Sequence, residues 1–258
     1  MKSATSSGLR ISRIAVYKAS LPLHEGSYNW SGGKSVEAFD STVVRIETNK
    51  GFVGHGEQVP LGSSYLPAFP DGTRAGIIHL APDLLGMNPT NLNSVNLKMD
   101  RCLKGHPSCK SALDMACWDI FGQIAGVPVC DLLGGRLGDP TEGFSLYRAI
   151  SQDTPDAMSS MVRKYMLEDC YRKFQLKVGG NYKDDIERII AVRHMIDKQA
   201  KDLRLKEAIP LFCDANTGWK RHEAMQVINA VKDLDVFIEQ PCETYEECVS
   251  VRNHCPLV

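Results

Sequence analysis

The sequence predicts an α/β protein in two parts: an antiparallel α+β portion, then a run of strand–helix repeats with a parallel sheet. Three observations predict it. Strand-like alternation runs from Arg10 to about Glu57. Helical periodicity then occupies Gly72–Gly86, Leu92–Leu103 and Ser108–Ala125. After Leu132-Leu133-Gly134-Gly135, four strand–helix units follow in succession, the pattern of a parallel sheet that is either open or closed into a barrel.

The first strands are Ile11–Tyr17, Thr42–Glu47 and Phe52–Gly56, and Asn49-Lys50-Gly51 makes a tight turn between the last two. Leu23–Glu37, rich in Gly and Ser with Tyr28 and Trp30, and Pro60–Asp71, with Tyr65 and Phe69, break the strand pattern. Such loops serve as lids or simply pack on a surface. The repeats read as strand Phe144–Ile150 and helix Pro155–Glu168, strand Phe174–Val178 and helix Asp184–Gln199, strand Leu211–Ala215 and helix His222–Lys232, strand Phe237–Glu239 and helix Thr244–Asn253. Pro256-Leu257-Val258 looks like the start of a fifth strand, so the chain is expected to be C-terminally truncated.

Composition narrows the function classes. With 30 basic and 31 acidic residues in 258, the formal charge is −1, which supplies no field for nucleic acid or an anionic membrane. No apolar run reaches the roughly 20 residues of a membrane span. Met1–Leu9 is Ser-rich and acid-free and reads as a disordered tail rather than a transit peptide. Nine cysteines without a CxxC pair fit free thiols in a reducing, cytoplasmic setting. Cys242, Cys248 and Cys255 beside His254 read as one buried helical face rather than a zinc site.

The chemistry-bearing residues sit at strand ends, where a parallel barrel places its active site. The second strand of the repeats ends in Gln175-Leu176-Lys177-Val178-Gly179-Gly180, the third in Cys213-Asp214-Ala215-Asn216, the fourth in Ile238-Glu239-Gln240-Pro241. Alternation puts Gln175 and Lys177 on one face. Asp214 and Glu239 suit a hard divalent cation such as Mg²⁺, and Lys177 beside a dication suits a general base. A second reading has the carboxylates capping the following helices and Lys177 paired with one of them.

Lys110–Gln123 (KSALDMACWDIFGQ), continuing through Val127-Pro128-Val129 and Leu132–Gly135, resembles the signature helix of the mandelate racemase and muconate-lactonizing branch of the enolase superfamily. The endings Lys177-Val178-Gly179, Asp214-Ala215-Asn216 and Ile238-Glu239-Gln240-Pro241 follow that family's order and spacing. The resemblance implies a (β/α) barrel of the enolase type preceded by an α+β lid (capping) domain. Residues 1–135 would form the lid, and residues 136–258 strands one to four of the barrel with the start of five. It implies Mg²⁺ held by Asp214 and Glu239 and catalysis by Lys177. Tyr28, Trp30, Tyr65, Gln175 and Asn216 would contact the substrate or close over it.

The implied chemistry is abstraction of a proton α to a carboxylate through an enediolate. The segments Trp30–Lys34, Tyr65–Ala68, Arg74–Gly76 and Gly105–Pro107 are similar to members that dehydrate cis-3-hydroxy-L-proline to a cyclic imine. The alternatives are a racemase or epimerase of proline-like amino acids, of the hydroxyproline-betaine type, and a catalytically incomplete fragment. Partners implied are a small amino-acid substrate and, for the full-length protein, further copies in a homo-oligomer. Two departures stand out. Gln175 replaces the first Lys of a common Lys-x-Lys pair, and the family's third metal ligand and second base fall beyond Val258.

Overall fold

The structure, a computed structural model, describes residues 8–62, 65–138 and 143–254. Cα packing divides the chain into two compact units, Met1–His24 with Ala38–Glu142, and Glu25–Glu37 with Gly143–Val258. The expected division at 135/136 assigned Leu23–Glu37 to the first part; in the structure Glu25–Glu37 packs with the second unit. The strands that open the chain are β1 (Ile11–Pro22), β2 (Tyr28–Trp30), β3 (Lys34–Val36), β4 (Ala38–Thr48) and β5 (Val53–Gln58). Helices α1 (Pro70–Leu84), α2 (Leu92–Cys102), α3 (Pro107–Ala125) and the short α4 (Val129–Leu132) follow.

In the first unit β1, β4 and β5 form an antiparallel sheet in that order, with Val16 opposite Val44 and Ile14 opposite Ile46. Period-two alternation turns Val44 and Ile46 inward, where they pack with Ile77, Leu80 and Leu113 of α1 and α3. Gly54 and Gly56 let α3 lie directly on β5. A Cβ at these positions would stand 2.1 Å from the Ala116 carbonyl oxygen and 2.0 Å from that of Ala112, which explains the small residues on both elements. Helix α3 starts at Pro107 and stops at Gly126, whose φ of 70° is the left-handed C-cap that glycine favours.

The second unit contains β6 (Arg148–Ile150), α5 (Pro155–Leu167), β7 (Phe174–Lys177), α6 (Tyr182–Asp202), β8 (Leu211–Asp214), α7 (Arg221–Val231), β9 (Phe237–Glu239) and α8 (Tyr245–His254). The strands pair in parallel in the order β6-β7-β8-β9. Helices α5, α6, α7 and α8 pack each against the next. Strand order that follows chain order, without a reversal, is the winding of a barrel rather than of a doubly wound sheet. Phe174, Leu176, Leu211, Cys213 and Ile238 are buried with the apolar faces of the helices. The alternate residues Gln175, Lys177, Phe212, Asp214, Phe237 and Glu239 share the other face, where Phe212 and Phe237 stack with centroids 5.1 Å apart.

Several expectations need correction. Leu23–Glu37 is more than a loop: β2 and β3 form a hairpin, Tyr28 opposite Val36 and Trp30 opposite Lys34. The strand expected over Phe144–Ile150 contracts to Arg148–Ile150, because only those residues pair with β7, and Phe144, Leu146 and Tyr147 are exposed. Helix α1 begins two residues early because Pro70 suits a first helical turn. Leu9, assigned to a tail, is fully buried. Asn49 fixes its neighbours by accepting from the Arg10 amide and donating to the Gly8 carbonyl. The rest of the proposed tail, Met1–Ser7, and the start of a fifth strand at Pro256–Val258 lie outside the described residues. Among the described residues no helix is long and apolar enough to cross a membrane.

Candidate active site

Parallel pairing sets Lys177 beside Asp214 and Asp214 beside Glu239 at the C-terminal ends of β7, β8 and β9. Lys177 Nζ donates to Asp214 Oδ2 at 2.5 Å, and both side chains are buried. Gln175, two residues earlier on the same face, reaches both carboxylates: its Nε2 stands 2.9 Å from Glu239 Oε2 and 3.5 Å from Asp214 Oδ2. Those two oxygens are therefore no farther apart than the two distances added. The Asn216 amide nitrogens complete the setting of Asp214, with Nδ2 at 2.9 Å from Oδ2 and the backbone N at 2.9 Å from Oδ1. Asp214 thus accepts on both carboxylate oxygens. Glu239 is exposed.

The backbone at this end is strained. Asn216, Thr217 and Gln240 have φ of 45°, 64° and 44°, a conformation costing on the order of 1–3 kcal/mol for residues other than glycine. Hydrogen bonds hold them there: Thr217 N donates to Gln240 O at 2.8 Å, and Ala215 N to Glu239 O at 3.0 Å. Strain of this kind gathers at functional sites, and β-branched Thr217 is the clearest outlier.

The β2–β3 hairpin belongs to the same unit and brings two predicted aromatics. The Tyr28 ring lies 6.0 Å from that of Trp30, which is buried. Burial raises the Tyr28 phenol pKa; a hydrogen bond and charge attraction from Lys177 oppose the shift, and Asp214 and Tyr147 add to it. The hairpin is fixed by Asn29 N donating to Ser151 Oγ at 2.8 Å, Gln152 N to Asn29 O at 3.0 Å, and Ser31 Oγ to Asn216 O at 3.2 Å. The Glu25 carboxylate engages the Arg148 guanidinium and the Tyr165 hydroxyl. Gln175, Lys177, Asp214, Asn216, Glu239, Tyr28 and Trp30 therefore converge within one unit. Tyr65 belongs to the other unit, in the turn after β5, where its amide donates to Gly62 O. Ser31, Glu25 and Arg148 were not singled out from sequence, since nothing local marks a Ser, Glu or Arg that acts across more than a hundred residues.

The residues fit a hard divalent cation in chemistry. Asp214 accepts from Lys177 and Gln175 and Glu239 from Gln175, so positive or donor groups sit where a cation's charge would act, and the Asn216 amide lies alongside Asp214. Among the described residues no group of three His, Cys, Asp or Glu side chains gathers to hold a metal. Asp214 and Glu239 can therefore supply part of a coordination shell.

Residues 32–134 match the profile of the mandelate racemase/muconate lactonizing enzyme N-terminal domain, and residues 157–258 that of the enolase C-terminal domain-like family. The chain is 50% identical over 249 residues to the cis-3-hydroxy-L-proline dehydratase of Roseibium aggregatum, covering 96% of this chain and 64% of that protein. It is 32% identical to the N-succinyl-L-Arg/Lys racemase of Bacillus cereus, covering 90% and 60%. The crystal structure of that racemase superposes with a TM-score of 0.86 at 30% identity, covering 96% and 64%. An enolase-superfamily member from Roseovarius nubinhibens, complexed with magnesium, superposes with a TM-score of 0.81 at 40% identity, covering 96% and 63%. The chain thus spans less than two thirds of the length of these relatives.

Proposed function

This chain belongs to the mandelate racemase and muconate lactonizing enzyme family of the enolase superfamily, and on that premise we propose that it carries out Mg²⁺-dependent dehydration of cis-3-hydroxy-L-proline. The observation that carries the reading is the Lys177–Asp214 contact with Glu239 alongside, at the ends of three consecutive parallel strands. The likeness to the dehydratase of R. aggregatum supports the substrate. Residues 1–135, apart from the Glu25–Glu37 hairpin that packs with the second unit, serve as the capping domain, and residues 136–258 supply the strands that carry the chemistry. A homo-oligomer in the cytoplasm completes the proposal.

Asp214 and Glu239 hold the cation, with Asn216 and Gln175 fixing their carboxylates. Bound there, Mg²⁺ supplies electrostatic stabilisation to the charge that develops on the substrate carboxylate, a contribution of several kcal/mol. The substrate hydroxyl and carboxylate share one ring face, so the Cα proton lies on the other and elimination is anti. The proton at Cα passes to a base, and its electron pair forms the Cα–Cβ double bond. The C–O bond breaks, and the hydroxyl leaves as water with a proton from an acid on the opposite face. The enamine then tautomerises to the cyclic imine. Lys177 Nζ handles the proton on one of those faces. Tyr28, whose phenol pKa burial raises, accepts a hydrogen bond from Lys177 and with Trp30 helps exclude water from the ring. Tyr65 is assigned to the lid.

The racemase neighbours favour a second reading, epimerisation at Cα, because proton removal is common to both outcomes. Product analysis in D₂O separates them: loss of water supports the dehydratase, and exchange with inversion but no loss of water supports the epimerase.

A further inference from the structure

Asp185 lies in the first turn of α6, is fully buried, and has no part in the chemistry above. Its Oδ2 accepts three hydrogen bonds of 2.9 Å, from Gly179 N, Gly180 N and Trp219 Nε1. Its Oδ1 accepts from Arg188 Nη1 at 2.7 Å, and Arg188 Nε in turn donates to Asp153 O at 2.7 Å. The donors come from the segments that follow β7 and β8, and, through Arg188, β6. Lys177 stands two residues before Gly179, and Asp214 and Asn216 shortly before Trp219. The two loops also touch: a Cβ on Gly218 would stand 2.1 Å from Gly179 O.

We propose that Asp185 is a positioning residue that sets the separation of the β7 and β8 loops, and so the placement of Lys177 against Asp214. The proposal rests on the reading of those two as site residues. A single carboxylate oxygen shared by both loops can act this way because it takes donors only; an amide there must turn its Nδ2 donors either toward the two backbone N–H groups or, flipped, toward Arg188 Nη1, so one set of bonds is lost in either orientation.

The test compares Asp185→Asn with Arg193→Met. Arg193 is buried on the same helix but donates to Ile209 O and Asp235 O, at the opposite ends of β8 and β9. Thermal melts, amide hydrogen exchange of 177–180 and 214–219, and calorimetric titration with MgCl₂ are measured on each. Asp185→Asn is expected to speed exchange in both loops by at least about tenfold and to weaken Mg²⁺ binding by roughly 10–100-fold, the usual effect of losing an outer partner of a site. Arg193→Met, at equal loss of melting temperature, should do neither. Trp219→Phe, which removes one bond and keeps an aromatic ring, should loosen both loops more mildly, and it decides the matter if Asp185→Asn fails to fold. Equal changes in both buried-residue variants, or loosening confined to Gly179–Gly180, would overturn the proposal. If the unmodified protein takes up no Mg²⁺, the metal reading fails while the exchange comparison still decides the role of Asp185.

Discussion

Gly179 packs against Ala215 so closely that a Cβ on Gly179 would lie 2.0 Å from the Ala215 carbonyl oxygen, and its φ is +92°. Both features forbid a side chain at this point, one residue after Val178 has closed the pairing of β7 with β8. Gly179→Ala should therefore destabilise the second unit by about 2–4 kcal/mol, combining left-handed strain with overpacking. Urea melts would show the loss. A change below about 0.5 kcal/mol would mean that the loops separate easily.

Lys177→Ala should lower turnover by about 10²–10⁴-fold, the usual contribution of a general acid or base. It should leave Mg²⁺ binding measurable, because Asp214 keeps its donors from Asn216. Glu239→Gln should act on the metal instead, raising the Mg²⁺ concentration needed for half-maximal activity while excess MgCl₂ restores part of the rate. If both variants change metal dependence alike, Lys177 acts only as the partner of Asp214.

Cys117, buried on α3, has its thiol pushed up to about 12 by burial, with Asp114 adding to the shift. The folded state therefore holds this proton where the unfolded chain has released it. The sign follows: this contribution is fully present below pH 9 and is lost as pH rises from 9 toward about 12, by up to ~4 kcal/mol over three units. Cys117→Ala should flatten the alkaline fall in stability measured by denaturant melts. In the folded protein Cys117 should alkylate far more slowly than the exposed Cys170.

The alternation of Thr42–Glu47, the turn at Gly51 and the four strand–helix units were legible because each rests on local periodicity and turn chemistry. So were Lys177, Asp214 and Glu239, whose places at strand ends follow from the repeat itself. The hairpin at Tyr28–Val36 was not, since its strands have three residues each and are held by Ser151, Gln152 and Asn216 from distant segments. Asp185 was hidden for a similar reason. An Asp in the first turn of a helix reads as a favourable helix-dipole charge, and only the fold shows it reaching two loops at once. Phe144 was misread as strand because apolar character alone does not supply a pairing partner.

Dehydration at a site built on Lys177, Asp214 and Glu239 has a direct readout. The most direct measurement incubates the protein with cis-3-hydroxy-L-proline and MgCl₂ in D₂O and follows the ring protons by NMR. A cyclic imine should form with loss of water, stopped by removal of Mg²⁺ with a chelator and slowed about 10²–10⁴-fold by Lys177→Ala. Inversion and exchange at Cα with the hydroxyl retained, or an unchanged substrate under all conditions, would contradict dehydration at this site.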